Sequence, residues 1–258
     1  MTKLIIGCPL YKRAKVLPHW FEAIEKQDYP LEDLGFVFIL GPDDDETHNF
    51  LFEWHASHPE VNVFDASINV SEEHSAHTPN KRTWNYEKYH KMVALRNQLL
   101  KKVRCHQPDK FFSLDSDVLL EDPGTIRKLD ELTDQAEVDA AAPLMYMYPT
   151  GTSFPDTMTW LSNVGGPAKR LLRNYPIGET FKTDIIMAAK MMTKPVYNQI
   201  DYMWHRQGED LGWSGECGRA GFSLFLMSGT YVPHIMYDSD IEKYLKTGDQ
   251  RKPDKELC

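Results

Sequence analysis

Apolar residues along this chain follow two rhythms. Short unbroken runs, KLIIGCPLY (3–11), FVFIL (36–40), VNVFDA (61–66) and DAAAPLMYMY (139–148), are bounded by Gly, Pro or acidic residues and predict buried strands. Between them the spacing turns helical. LPHWFEAIEKQ (17–27) carries Pro18 near its start and Trp20, Phe21 and Ile24 on one face. A helix starting at Asp45 to Thr47 carries Phe50, Leu51 and Trp54, and in 86–104 the residues Tyr89, Met92, Val93, Arg96, Leu99, Leu100 and Val103 recur at helical intervals. Asp122 and Pro123 open a further helix with the stripe Ile126, Leu129 and Leu132. Residues 67–83 and 149–167 lack a consistent period and predict long loops, and TDIIMAAKMM (183–192) returns to strand character. Strands alternating with helices over the first 140 residues predict an α/β fold, a doubly wound and mostly parallel sheet flanked by helices.

Composition narrows the class. The 258 residues suffice for one large core, expected as a single domain over 1–258. No apolar run approaches the roughly 20 residues that cross a bilayer, and the short N-terminal run reads as a first strand, not a leader peptide. The four cysteines, Cys8, Cys105, Cys217 and Cys258, show neither CxxC spacing nor the density of a disulfide scaffold, which points to a reducing, cytoplasmic setting. A net charge of -9 argues against a generic nucleic-acid surface. His74 and His77 lie three apart without a third nearby ligand and make a poor zinc site.

The chemistry concentrates in KFFSLDSDVLLEDP (110–123). If the strand stays extended, Phe111, Ser113, Asp115 and Asp117 share one face, so two carboxylates point the same way at a strand's carboxyl end, where open α/β sheets bind ligands. Two such anions repel unless a cation relieves them, and a hard divalent ion does so with oxygen ligands while keeping positions for phosphate and water. A solvated Asp-Ser-Asp turn accounts for the same residues without chemistry.

Five segments in order carry a family resemblance: the CPLY loop after strand one, ALRNQLL (94–100), FFSLDSDVLLEDPGTI (111–126), QGEDLGWSGECGRAGF (207–222) and YVPHIMY (231–237). Together they resemble a GT-A fold glycosyltransferase of the family-2 type. The resemblance implies a nucleotide-sugar half over 1–135 ending in the D-x-D motif, an acceptor and catalytic half over 136–237, and a tail over 238–258. It implies that Asp115, Asp117 and His234 hold Mn²⁺ or Mg²⁺ on the diphosphate of a nucleoside-diphosphate sugar, UDP-sugar favoured and GDP-sugar possible. Pro9, Tyr11, Arg13, Asp43, Arg96, Asp115 and Ser116 would bind that donor, with Tyr11 stacking on the base. Asp210, beside Glu209, would be the general base of an inverting transfer; a carboxylate pair opening a helix is also favourable to the helix dipole on its own. The usual second-strand aspartates are replaced by Leu40 and Gly41, shifting the acids to Asp43, Asp44 and Asp45. Trp160 and Trp213 are the sugar-stacking candidates for the acceptor.

Several alternatives stay open at this level. They are retaining transfer of the mannan-polymerase type, transfer to hydroxymethylated bases of viral DNA, nucleotidyl transfer, for which GCPLYKRAK is a poor phosphate loop, and a non-catalytic sugar-nucleotide-binding module. The acceptor, whether glycan, protein, small molecule or modified nucleic acid, is not encoded in any motif.

Overall fold

A computed structural model describes residues 2–41, 46–68, 86–148, 178–235 and 238–247. The elements run β1 (Leu4–Leu10), α1 (Leu17–Glu25), β2 (Leu34–Leu40), α2 (Thr47–Ser57), β3 (Val63–Ile68), α3 (Tyr86–His106), β4 (Lys110–Leu114), α4 (Thr125–Thr133) and β5 (Ala140–Tyr148). They continue with β6 (Thr180–Thr183), β7 (Ala189–Thr193), α5 (Lys194–Gln199), α6 (Glu209–Arg219), β8 (Leu224–Ile235) and α7 (Asp238–Thr247).

One eight-stranded sheet has the order β3-β2-β1-β4-β7-β5-β8-β6. The strands β3, β2, β1 and β4 are parallel neighbours, and β5 pairs in parallel with β8. Only β7, wedged between β4 and β5, and the edge strand β6 run antiparallel to their neighbours. The doubly wound, mostly parallel architecture expected from the alternating pattern is therefore present. One expected strand divides: 183–192 is not continuous, because β6 ends at Thr183 and β7 begins at Ala189.

Strand alternation sorts the core into two layers. Leu4, Ile6, Cys8 and Leu10 of β1 and Phe36, Phe38 and Leu40 of β2 face α1, α2 and α4, where Trp20, Phe21, Trp54 and Ile126 cover them. Ile5, Val37, Ile39 and Phe111 face the opposite way onto Leu95, Leu99, Leu100 and Val103 of α3, with Val196 of α5 and Trp213 of α6 in the same layer. On the first side Phe21 stacks on Trp54 at 4.0 Å and meets Trp20 edge-on at 5.0 Å. Strands buried on both faces explain why their sequences read as unbroken apolar runs.

Candidate active site

The site forms at the carboxyl ends of β1 and β4, where the sheet's parallel part meets β7 and β8. Strand β4 stops at Leu114, and Asp115 to Asp117 turn, with the Val118 N–H donating to the Asp115 carbonyl at 3.1 Å. Neighbouring elements pin that turn. The Asp115 N–H donates to the Ala188 carbonyl (2.9 Å), the Trp20 indole to the Asp115 carbonyl (3.1 Å), and the Ile235 N–H to the Asp117 carbonyl (2.7 Å). Val118 bridges His234 across to β8.

This turn corrects the extended reading in which both carboxylates share a strand face. Alternation holds for Phe111, Ser113 and Asp115, which face α3; Asp117, reached through the turn, has other neighbours. Arg96, fully buried on α3, donates to the Ser113 hydroxyl (3.1 Å) and the Asp115 carboxylate (2.8 Å), and its Nε lies 3.7 Å from Glu209. Asp117 lies 3.5 Å from His234 Nε2 and 3.9 Å from the Arg13 guanidinium. The acids thus divide: Asp115 is held from beneath by Arg96, while Asp117 faces a histidine and an arginine from two other elements. Ser116, buried between them, joins the same turn.

The second group opens α6. Glu209 and Asp210 are its first two residues, both buried, preceded by Gly208 at φ +126°. Asp210 is ion-paired with the fully buried Lys190 of β7 and accepts from the Ala188 N–H at 3.3 Å. Burial alone would raise the Asp210 carboxyl; the Lys190 and Arg96 charges overcome this and hold it below its ordinary range. On Glu209 burial together with the Asp210 charge outweighs the pull of Arg96 and Lys190 and pushes the carboxyl up to about 7. Two adjacent carboxylates thus have opposite proton affinities, the separation that acid–base sites require.

The remaining expected residues scatter. Pro9 is the next-to-last residue of β1, and the half-buried Tyr11 ring lies on Gly41, where an added Cβ would come within 2.3 Å of a ring carbon. Arg13 also donates its backbone N–H to the Thr47 hydroxyl at 2.8 Å, which ties the β1–α1 loop to α2. Asp43, Trp160, His74 and His77 lie outside the described residues. Trp213 is not available to stack on a sugar: at 0% exposure it packs with Tyr202 at 6.0 Å and lies under Lys190 at 5.3 Å. It sits on the inner face of α6 because it follows the buried Glu209 and Asp210 by four and three positions respectively.

Sequence reading missed two residues. Lys190 sits in an apolar run, and the only signal there was a lysine at a position alternation marks as buried. Asn97 follows Arg96, and its side-chain amide donates to the Tyr202 carbonyl (3.0 Å) and accepts from the Tyr202 N–H (2.7 Å), fastening the segment that enters α6. Among the described residues no three His, Cys, Asp or Glu side chains form a ready metal cluster, and no helix is long and apolar enough to cross a membrane.

The family model for the glycosyltransferase family 25 N-terminal domain matches residues 2–151. A "Glycosyltransferase 25 family member" from Aedes aegypti is 24% identical over 98% of this chain, which spans 42% of that relative's length. Among solved structures, S. aureus TarS 1-349 in complex with UDP superposes with a TM-score of 0.61 at 14% identity, over 95% of this chain and 63% of that one. The mannosyltransferase PcManGT from Pyrobaculum calidifontis, in complex with GDP-Man and Mn2+, gives 0.59 at 11%, over 94% and 59%. GalNAc-T7 with UDP, GalNAc and Mn2+ gives 0.64 at 12%, over 92% and 44%. The fold is that of GT-A glycosyltransferases, and where the residue motifs resembled the family-2 type, the matching family model is that of family 25. With more than half of its length under that model, the chain belongs to the glycosyltransferase family 25 N-terminal domain family.

Proposed function

We propose that this chain transfers a sugar from a nucleoside-diphosphate donor, UDP-sugar favoured, to an acceptor hydroxyl with inversion at the anomeric carbon. The observation that carries this reading is the shared network at the sheet's carboxyl ends. Arg96 contacts both Asp115 of the D-x-D turn and Glu209 of the α6 pair, so the two acidic groups belong to one site. In this reading residues 1–135 form the donor half, 136–237 the acceptor and catalytic half, and 238–258 a tail within one domain.

Asp117 and His234 fit a divalent cation. A carboxylate and an imidazole 3.5 Å apart suit Mn²⁺, or Mg²⁺ less well, and leave further positions for diphosphate oxygens and water. Asp115, held by Arg96, adds an oxygen at the edge of that pair. A bound cation supplies charge neutralisation on the departing diphosphate. Arg13 is placed to meet the same anion, and Tyr11 over Gly41 to stack on the base. Arg96 supports Asp115 from below and, being fully buried, is not a direct donor contact.

Asp210 takes the proton of the acceptor hydroxyl. The acceptor oxygen bonds to the anomeric carbon as the bond to the diphosphate oxygen breaks, and the nucleoside diphosphate leaves with that electron pair. Lys190 and the Ala188 N–H keep Asp210 ionised and fixed in orientation. A second reading gives the proton to Glu209, favoured by its affinity near 7, better matched to a base working at neutral pH. A donor screen with Mn²⁺ or Mg²⁺ tests the proposal: nucleoside-diphosphate release by the wild type and its loss in Asp117→Ala are expected. Release that persists in Asp117→Ala would sink it.

A further inference from the structure

The entry to α6 carries a second feature that the donor chemistry does not use. Among the described residues five large apolar side chains are exposed, and three of them gather here: Tyr86 (64%), Met203 (49%) and Trp204 (40%). Tyr86 and His90 lie four apart on the first turns of α3 and share its face. The Trp204 ring is nearly parallel to His90, 9° off at 5.4 Å, and Tyr86 tilts against it at 5.2 Å. A polar exposed surface would scatter such rings; here three aromatic rings brace one another and stay open to solvent.

The patch is rigidly held. Asn97 clamps the Tyr202 backbone in both directions. On the other side the Met203 carbonyl packs so close to Gly212 of α6 that a Cβ there would collide with it. Two residues beyond the clamp, Trp204 has little backbone freedom left. The patch also borders the acids: Gly208, immediately before Glu209, lies against Tyr89, a neighbour of His90, with 3.4 Å between the Tyr89 ring and the position of a Cβ. The expected base-stacking residue, Tyr11, sits elsewhere, over Gly41 at the end of β2.

We propose that Trp204, braced by Tyr86 and His90 and flanked by Met203, is the platform for a pyranose ring of the acceptor, which it presents to the carboxylates opening α6. This rests on the glycosyltransferase reading. A flat aromatic face with a thioether beside it matches the apolar C–H face of a pyranose, and a ring fixed before binding loses little entropy on contact.

Saturation-transfer NMR on the full chain tests this with methyl β-galactoside, methyl β-glucoside and methyl α-mannoside, beside titrations of UDP and GDP with Mn²⁺ on the same samples. At least one pyranoside should receive saturation at its ring C–H protons. Trp204→Ala should weaken its binding by about tenfold, the scale of one lost ring contact and its buried area. Trp204→Phe should keep most of it, and nucleotide binding should be unchanged in both, which also reports an intact fold. Equal pyranoside binding by wild type and Trp204→Ala overturns the platform, as does nucleotide binding by a wild type that takes no pyranoside. Pyranoside binding lost in Trp204→Ala, in a protein that binds neither nucleotide, leaves the platform standing and removes the donor reading instead.

Discussion

The sheet consists of two parts built differently, and the carboxylates of the candidate site lie on the seam. From β3 to β4 the strands are parallel, joined by crossover helices, and buried on both faces, and the family match ends at residue 151, just past β5. From β7 to β6 parallel and antiparallel pairings are mixed, the β5–β8 register shifts between Pro143 and Met145, and β8 runs twelve residues to carry His234. Asp115 and Asp117 end the first part, yet their backbones are bonded to Ala188 and Ile235 of the second. Each part also sends one buried cation to the seam, Arg96 from α3 and Lys190 from β7. The regular part carries Asp115 and Asp117 at the end of β4, and the irregular part bonds the same turn from the other side.

Removing either of those cations should have the largest effect on the molecule. Taking one partner from a buried ion pair costs about 3–5 kcal/mol, because the carboxylate left behind stays desolvated. Arg96→Met strands Asp115 and leaves Glu209 without its nearest cation, whereas Lys190→Met strands Asp210 alone. Urea denaturation should rank Arg96→Met as the more damaging of the two. Equal losses would mean that the two parts do not share Arg96 as described.

Asp117→Asn separates function from frame. Asp117 faces His234 and Arg13 at the site, so donor turnover should fall by about 10²–10³, the range for removing one stabiliser of developing charge, while the urea midpoint moves little. A comparable loss of stability would make the pair with His234 a structural tie and not a site for a cation.

The α6 carboxylates give a pH signature of opposite sign. Folded Glu209 keeps its proton up to about 7 against an ordinary value of 4.5. Between those values the native state binds more protons than the unfolded chain, so stability falls as pH rises through that window. Glu209→Gln should flatten this slope in urea midpoints measured between about pH 4.5 and 7. Asp210, held low, acts the other way: its contribution is present at neutral pH and is lost in acid as the pH falls through its folded value. If Asp210 is the base, turnover in wild type stays level through pH 7; if Glu209 is, turnover climbs through it.

Much of the regular part was legible because its signals are local. Apolar runs gave β1, β2 and β4, and the spacing of Met92, Val93, Leu99, Leu100 and Val103 gave α3, since each residue's burial follows from its own strand or helix period. The seam was legible as motifs but not as geometry. Nothing in DSD says that the strand stops at Leu114 and that a turn sends Asp117 toward His234, because the bonds that fix this turn come from Ala188 and Ile235, over 70 residues away. Trp213 and Trp204 show the same limit. Both flank the GED motif and either could face a sugar; α6 buries Trp213 on its inner face, while Trp204 lies in the irregular segment before α6 and stays exposed.

The smallest expected effect tests how the irregular part holds its exposed segment. Gly212 lies in α6, where alanine is intrinsically better by about 1 kcal/mol, so Gly212→Ala should stabilise the helix if propensity alone matters. The Met203 carbonyl occupies the space an added methyl needs, and that backbone cannot retreat freely because Asn97 holds Tyr202 beside it. The two contributions have opposite signs, and the overlap outweighs propensity because the atom in the way is backbone, overpacking costing about 1–3 kcal/mol. Net stability should therefore drop in urea by about 1–2 kcal/mol, less than for either buried cation, while Trp204 fluorescence shifts as its segment is pushed outward. A more stable Gly212→Ala protein with unchanged fluorescence would show that the segment is loosely seated and that the seam, not the entry to α6, sets the order of the irregular part.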